Sequence, residues 1–346
     1  MTVLRRHFRL LPFALCALLI ALPAGAQDTS PQVVNVYSAR HYGAMEAAFT
    51  AFTEATGIEV RLSQGSAQSI LERLRAEGDQ TVADVYFTID AGGLSLAAEE
   101  GLLQPIESEI LDAAIPADLR DSENRWFAVS QRIRTIVFNP NAVDPTELST
   151  YEQLGDPLWN GRLCLRPATH IYTISLVGSL IADLGEEAAE NIVAGWVANN
   201  PHYIDSDTRI LETIAAGGCD VGLTNHYYLA SELDQDPGFP VKLFWANQGE
   251  DERGAFRNVS GVGVTAAALN RENAIKLIEW MATDGQAADV TGIPGGNYEY
   301  PVNPDAELNP IIAAFGAFKI DPLPLSDYGQ YQDQAVALLE RTGYGF

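Results

Sequence analysis

Short apolar runs alternate with amphipathic stretches along the first part of the chain. β-Branched runs predict strands, and apolar residues spaced three and four apart predict helices. A capping serine and glycines mark where these helices begin or end. The predicted elements are a strand at 33–37, a helix at 44–56 stopped by Gly57, a strand at 58–62, a helix after Ser66 that ends at Gly78, and a strand at 84–88. This alternation predicts parallel sheets.

The same alternation resumes in the second part of the chain. The predicted elements are strands at 135–139, 163–165, 221–224 and 259–264, and helices at 172–184 and 272–282. No long Pro, Gly or Ser linker separates the two regions. We therefore expect two α/β lobes joined by strands, with the chain crossing between them more than once.

The amino terminus has the pattern of a cleaved signal peptide at 1–26. Basic residues precede the apolar run Leu10–Leu22, and small residues follow at 24–26. The pair Arg5-Arg6 is compatible with the twin-arginine route as well as with the Sec route, and both stay open. No later segment has the roughly 18 apolar residues that a membrane helix needs, so we expect no stable membrane insertion after cleavage.

Acidic residues dominate the charge. The full chain has 21 basic and 46 acidic residues, and without the signal peptide 18 basic residues face the same 46, a net charge of −28. Nucleic acid and anionic membrane surfaces are poor partners for so acidic a protein, and we expect no nucleic acid among its partners.

Two cysteines, Cys164 and Cys219, remain after cleavage. An oxidising compartment favours a disulfide between them. A thiolate zinc site would need further Cys or His at short spacing, so we prefer the disulfide.

Tyrosines follow several predicted strands. Tyr42 follows the first strand, Tyr172 follows the strand at 163–165, and the pair Tyr227-Tyr228 follows the strand at 221–224. Ligands bind beyond the carboxyl ends of parallel strands. A phenol loses its proton near pH 10, so several converging phenols need a strong, hard cation such as ferric iron. Any one of these tyrosines alone would more often belong to a core, but four at strand ends favour a metal site.

Other polar residues and glycines near these motifs have a structural interpretation. We interpret His170 and His226 as mere sequence neighbours of the tyrosines, and Asp207 or Thr208 as the cap of the next helix. Gly261 and Gly263 lack the third glycine of a dinucleotide turn and predict close backbone packing.

Enzyme motifs are missing from the chain. It has no Gly-x-Ser-x-Gly elbow, no His-Glu-x-x-His helix and no Walker lysine motif. A metalloenzyme with tyrosine ligands remains a distant alternative. The nearer alternative is a carrier for an organic cation such as a polyamine or thiamine, held by cation–π contacts.

Four segments carry a resemblance to a known family. They are Tyr-Ser-Ala-Arg-His-Tyr at 37–42, Arg-Ile-Arg-Thr-Ile-Val-Phe-Asn-Pro at 132–140, the segment 164–180, and the run 215–228 that ends in the tyrosine pair. Together they resemble the periplasmic ferric-iron-binding proteins of bacterial iron ABC transporters, and more closely the tyrosine-rich branch of that family. The resemblance covers nearly the whole mature chain.

The resemblance implies the α/β fold of a two-lobed type II periplasmic binding protein, with a hinge of crossing strands and the ligand cleft between the lobes. The expected amino-terminal lobe comprises 32–131 and 258–300, and the expected carboxyl-terminal lobe comprises 132–257 and 301–346.

The resemblance also implies a set of site residues. The expected metal ligands are Tyr42, Tyr172, Tyr227, Tyr228 and His41. Arg40, Arg132 and Arg134 are the expected cations around them, and Asp90 is an expected acidic neighbour, although its local sequence departs from the family pattern.

The function implied is the capture of Fe(III) as cargo and its delivery to an inner-membrane ABC permease. The protein would be a monomer in the periplasm and not an enzyme.

Overall fold

A computed structural model describes residues 2, 32–40, 43–287, 290 and 297–345. Apart from Thr2, the predicted signal peptide at 1–26 lies outside the described residues, as do His41 and Tyr42. No helix in the described parts of the chain is long and apolar enough to cross a membrane.

The described residues contain ten strands and eleven α-helices. The strands are β1 (Val33–Ser38), β2 (Glu59–Gln64), β3 (Val85–Thr88), β4 (Leu103–Gln104), β5 (Phe127–Phe138), β6 (Leu163–Leu165), β7 (His202–Tyr203), β8 (Val221–Asn225), β9 (Lys242–Phe244) and β10 (Phe256–Thr265). The helices are α1 (Gly43–Thr56), α2 (Ala67–Glu77), α3 (Ala91–Glu99), α4 (Glu109–Ala114), α5 (Ile171–Leu184), α6 (Glu186–Ala198), α7 (Asp207–Ala215), α8 (His226–Gln235), α9 (Arg271–Ala282), α10 (Pro310–Ala314) and α11 (Gln332–Arg341).

Helix α2 shows how local sequence sets the boundaries of an element. The Ser66 hydroxyl accepts a hydrogen bond from the backbone N–H of Ser69 and caps the helix, as predicted. Gly78 ends the helix with a positive φ of 49°, a conformation that glycine adopts readily. The buried side chains between these ends are Ile70, Leu71 and Leu74. Their helical spacing attaches α2 to the core.

The cap of helix α7 differs from the prediction. Ser206, not Asp207 or Thr208, is the N-cap, and its hydroxyl accepts a hydrogen bond from the backbone N–H of Arg209. Asp207 is the first helical residue and is almost fully buried. The prediction was wrong because several adjacent residues are suitable caps, and tertiary contacts decide which one takes the role.

One sheet contains all ten strands. Its order is β2-β1-β3-β10-β5-β8-β6-β7, with β4 beside β10 and β9 beside β5. The strands at each end are parallel, namely β2-β1-β3 and β8-β6-β7. Strands β10 and β5 pair antiparallel with each other and join the two parallel groups. The predicted α/β class and the crossing strands are therefore confirmed.

The two crossing strands are longer than the sequence pattern predicted and are buried along nearly their whole length. Gly261 and Gly263 lie where β10 passes close to its neighbours. A Cβ at Gly261 would lie 2.8 Å from the carbonyl oxygen of Phe127, and one at Gly263 would lie 2.7 Å from that of Arg125. The prediction of close backbone packing is confirmed. The lobe boundaries near residues 131 and 257 remain a prediction.

A disulfide joins Cys164 to Cys219, with 5.9 Å between the two Cα atoms. Its prediction is confirmed. Cys164 lies in β6 and Cys219 lies two residues before β8, so the bond ties together two parallel strands that are also paired in the sheet. Its sulfur atoms are buried among apolar residues of α7, including Ile210 and Leu211.

Candidate metal centre

Tyr172 and Tyr227 meet beyond the carboxyl ends of two neighbouring parallel strands. Helix α5 follows β6, helix α8 follows β8, and each tyrosine is the second residue of its helix. Their hydroxyl oxygens lie 3.0 Å apart, and the side chains are only 5% and 3% exposed. Each tyrosine thus belongs to the first turn of its helix, the end at which the helix dipole favours a negative charge.

Tyr228 joins the cluster through its ring. The ring centroids of Tyr227 and Tyr228 are 4.4 Å apart, with a tilt of 33°. The two rings therefore lie side by side at the start of α8. Tyr228 is half-buried. The other predicted ligands, His41 and Tyr42, lie outside the described residues.

Guanidinium groups surround Tyr172. Arg132 and Arg134 alternate along β5, so both point to the same face of the strand. Their guanidinium carbons lie 5.4 and 5.6 Å from the centroid of the Tyr172 ring, which is cation–π distance. Arg40, two residues after the end of β1, is fully buried. The sequence predicted these three cations, and the structure brings two of them to one tyrosine.

Two buried carboxylates contact these cations, and neither was predicted from the sequence to belong to the site. Asp207 accepts a hydrogen bond of 2.9 Å from Arg134 and lies 3.6 Å from the Nε atom of Arg166. Glu299 accepts one of 2.9 Å from Arg40 and lies 3.7 Å from Arg132. Four buried guanidinium groups therefore face two buried carboxylates in the described part of this cluster. Arg166 also lies 3.5 Å from the exposed carboxylate of Asp205.

Asp90 has a different environment from the tyrosine hydroxyls. It is the N-cap of α3 and accepts the backbone N–H of Gly93 at 3.0 Å. Its carboxylate also accepts hydrogen bonds from Ser175 at 2.6 Å, from Asn258 at 2.7 Å and from Gln332. Ser175 lies one helical turn after Tyr172. Asp90 thus connects α3 with the helix that carries Tyr172.

The two histidines beside the tyrosines have structural contacts of their own. His170 caps α5, and its Nδ1 atom accepts the backbone N–H of Tyr172 at 3.2 Å. His226 is fully buried, and its Nδ1 atom accepts the backbone N–H of Ile133 at 3.1 Å. Burial lowers the pKa of His226 to about 3, so the ring is neutral. Both histidines thus make hydrogen bonds at the start of the helices that carry the tyrosines.

The segment Asn297–Tyr300 also contacts the site, although the sequence did not predict it there. The Tyr298 side chain packs with Tyr227, and its hydroxyl donates a 2.5 Å hydrogen bond to Asp234 of α8. The Tyr300 ring lies 4.7 Å from the ring of His226. The available signal was the alternation of two tyrosines around Glu299, which has the period of an extended chain. That pattern does not reveal which parts of the chain the segment contacts.

The chain is similar in sequence and in structure to several known proteins. The chain is 38% identical to iron uptake protein A2 of Synechocystis, over 98% of both chains. It is 39% identical to the Trichodesmium protein IdiA (FutA), solved with iron and citrate ligands, with a TM-score of 0.80 over 90% of this chain and 99% of that one. A ferric binding protein from Campylobacter jejuni is 32% identical, with a TM-score of 0.83 over the same shares of the two chains.

These likenesses and the sheet order confirm the predicted type II binding-protein fold. The family model for bacterial extracellular solute-binding proteins matches residues 36–288, which is most of the chain. The chain therefore belongs to the bacterial extracellular solute-binding protein family.

Proposed function

We propose that this solute-binding protein captures Fe(III) through tyrosine phenolates and delivers it to an ABC permease of the inner membrane. The observation that carries the proposal is the pair of buried hydroxyls of Tyr172 and Tyr227, which lie 3.0 Å apart and belong to residues in the first turns of two helices. The names of the relatives, which include iron uptake and ferric binding proteins, support the same cargo.

The distance between the two hydroxyls suits adjacent ligands of a small cation. An octahedral ion with metal–oxygen distances of about 2.0–2.1 Å, as for Mg²⁺, separates adjacent ligand oxygens by about 2.9 Å. Tyr172 and Tyr227 are already close to that separation. Little movement of either side chain is then needed when the ion replaces the proton between them.

The surrounding charges suit deprotonated phenols. Phenolates from Tyr42, Tyr172, Tyr227 and Tyr228 around Fe³⁺ would leave a net charge of about −1. Arg132 and Arg134, and the helix N-termini, supply the opposite charge. Nearby cations favour the charged form of an acid, so they support phenolate formation. His41 is the remaining proposed ligand, and Arg40 supports it from the adjacent position.

An organic cation is disfavoured as cargo by the same features. A polyamine or thiamine would need free aromatic faces and nearby carboxylates. The guanidinium groups of Arg132 and Arg134 already lie at cation–π distance from Tyr172. The buried carboxylates in the described cluster, Asp207 and Glu299, are both engaged with arginines.

The proposed setting is the periplasm, with a monomeric protein that carries iron to its permease and performs no reaction on it. Tyr42 would bind from the amino-terminal lobe, and Tyr172, Tyr227 and Tyr228 from the other lobe. Strands β5 and β10 connect the two parallel groups and are suited to act as the hinge. Iron would then close the cleft, and the closed form would bind the permease. Small-angle scattering with and without iron tests this, and equal dimensions contradict it.

A visible absorption titration tests the metal site. Iron-stripped mature protein is titrated with ferric citrate beside a Tyr227→Phe, Tyr228→Phe double variant. We expect a phenolate-to-iron charge-transfer band that saturates at one equivalent and is weakened or shifted in the variant. Tyr203→Phe is the matched control, because Tyr203 lies in β7 and its ring packs against Tyr344. No band in the wild type would refute the proposal, and an unchanged band in the double variant would refute the assignment of its ligands.

A further inference from the structure

Glu299 is a fully buried carboxylate that contacts two cations of the candidate site. Its Oε2 atom accepts a 2.9 Å hydrogen bond from Arg40 and a 2.8 Å hydrogen bond from Asn297. Its Oε1 atom lies 3.7 Å from Arg132. The three charged side chains are at most 2% exposed. The negative charge of Glu299 between them allows the two positive guanidinium groups of Arg40 and Arg132 to stay close together while buried.

The two arginines are held differently. Arg132 donates to the hydroxyl of Ser260 at 3.0 Å and to the carbonyl oxygen of Val259 at 2.9 Å, both in β10. Arg40 donates to the hydroxyl of Ser130 at 3.3 Å, and its bond to Glu299 is shorter and charge-assisted. Glu299 therefore contributes more to the position of Arg40 than to that of Arg132.

Tyr298, the residue before Glu299, contacts helix α8. Tyr298 donates to Asp234 near the end of α8, the helix that carries Tyr227 and Tyr228. Tyr298 has a positive φ of 49°, which is uncommon for a residue with a side chain. Strained backbone of this kind persists where the surrounding contacts hold it, as this hydrogen bond does. The segment therefore links Arg40 with helix α8.

We propose that Glu299 is a positioning residue of the iron site. It holds Arg40, the residue directly before the proposed ligands His41 and Tyr42, and its Oε1 atom lies 3.7 Å from Arg132. In this way the segment 297–300 connects Arg40 with helix α8, which carries Tyr227 and Tyr228. The inference rests on the proposed function, and Glu299 itself is not a ligand in it.

Glu299→Gln tests the proposal because it removes the charge and keeps the shape. Fe(III) affinity is measured by competition with citrate, together with the position and intensity of the charge-transfer band. Residues that orient the ligands of a metal typically contribute about 10-fold to 100-fold in affinity, so we expect a loss in that range. Glu299→Asp, which keeps the charge, should recover part of the affinity. Glu307→Gln is the matched control on the exposed surface nearby.

A double variant separates positioning from a general loss of structure. If Glu299 acts through Arg40, then Glu299→Gln combined with Arg40→Gln should bind iron no more weakly than Arg40→Gln alone. Additive losses would overturn the proposal, as would a Glu299→Gln affinity within about twofold of the control. If Glu299→Gln fails to fold, Glu299→Asp in the same cycle gives the answer. A wild type without the charge-transfer band would overturn the proposed function, and this inference with it, whereas the other two outcomes overturn the inference alone.

Discussion

Replacing Asp207 by Asn should strongly destabilise the fold around the tyrosine site. The Asp207 carboxylate accepts a 2.9 Å hydrogen bond from Arg134 and a 3.1 Å hydrogen bond from the backbone N–H of Asn225. It also lies 3.6 Å from Arg166. All these groups are buried. The substitution keeps the size of the side chain, so it removes the charge without opening a cavity.

The magnitude follows from the buried charges that remain. Removing one partner of a buried ion pair costs about 3–5 kcal/mol, because the other charge stays buried without compensation. The Asn amide also presents N–H donors to guanidinium groups that are themselves donors. We expect the free energy of unfolding to fall by about 3–5 kcal/mol. Such a loss is a large part of the 5–15 kcal/mol typical of a folded domain.

Urea denaturation of the iron-free protein measures this loss. The tryptophans Trp159 and Trp196 are buried, so fluorescence follows their exposure on unfolding. Glu186→Gln makes the same chemical change in an exposed pair with Arg341 and should have no measurable effect.

The result that would refute this reasoning is an Asp207→Asn loss no larger than that of Glu186→Gln. A second check uses Arg134→Met, which removes the main partner. The double variant Asp207→Asn, Arg134→Met should lose less stability than the sum of the two single variants, because both remove the same interaction. A sum of independent losses would show that the pair does not act as a unit.

Three further predictions concern stability and the acidic residues. Removing the disulfide with Cys164→Ala and Cys219→Ala together should lower the free energy of unfolding by about 4 kcal/mol, since the bond closes a span of 55 positions in the unfolded chain. Burial raises the pKa of Asp321 to about 6, above its value in the unfolded chain, so its contribution to stability is present below about pH 4 and is lost as the pH rises through 6. Stability measured from pH 4 to 7 should therefore fall more in the wild type than in Asp321→Asn. Asp90→Ala should cost about 1–3 kcal/mol because it leaves buried donors without an acceptor, and the charge-transfer band should keep its wavelength.

Each of these predictions has a control and a contradicting result. For the disulfide, the wild type in reducing agent should match the double variant, and equal stability with and without the bond would contradict the estimate. For Asp321, parallel pH curves in the two proteins would contradict the raised pKa. For Asp90, a shifted band would contradict the expectation and show that this carboxylate influences the metal.

Much of the local structure could be predicted because it depends on neighbouring residues. The cap at Ser66, the stop at Gly78 and the strand at 163–165 follow from side-chain chemistry and hydrophobic spacing within a few positions. The same pattern placed Tyr172 and Tyr227 just beyond strand ends. Parallel strands bring such positions to one edge of a sheet, and the hydroxyls do meet there.

The balance of charge in the site could not be predicted in the same way. Arg134 and Asp207 are 73 positions apart, and Arg40 and Glu299 are 259 positions apart. Nothing in the sequence near an arginine shows which distant carboxylate will be buried beside it. The cost of an unpaired buried charge requires that a partner exists, but only the folded chain selects it.

The sequence alone therefore determined the alternation of strands and helices, the disulfide partners and the residue types suited to ferric iron. These properties depend on local spacing, on the number of cysteines and on the chemistry of phenols. The tertiary structure decided that Tyr172 and Tyr227 lie 3.0 Å apart, that Arg132 and Arg134 flank one ring, and that Glu299 joins Arg40 to the site. The reason is that the order and register of the strands result from packing and hydrogen bonding across the whole sheet, which no short segment specifies by itself.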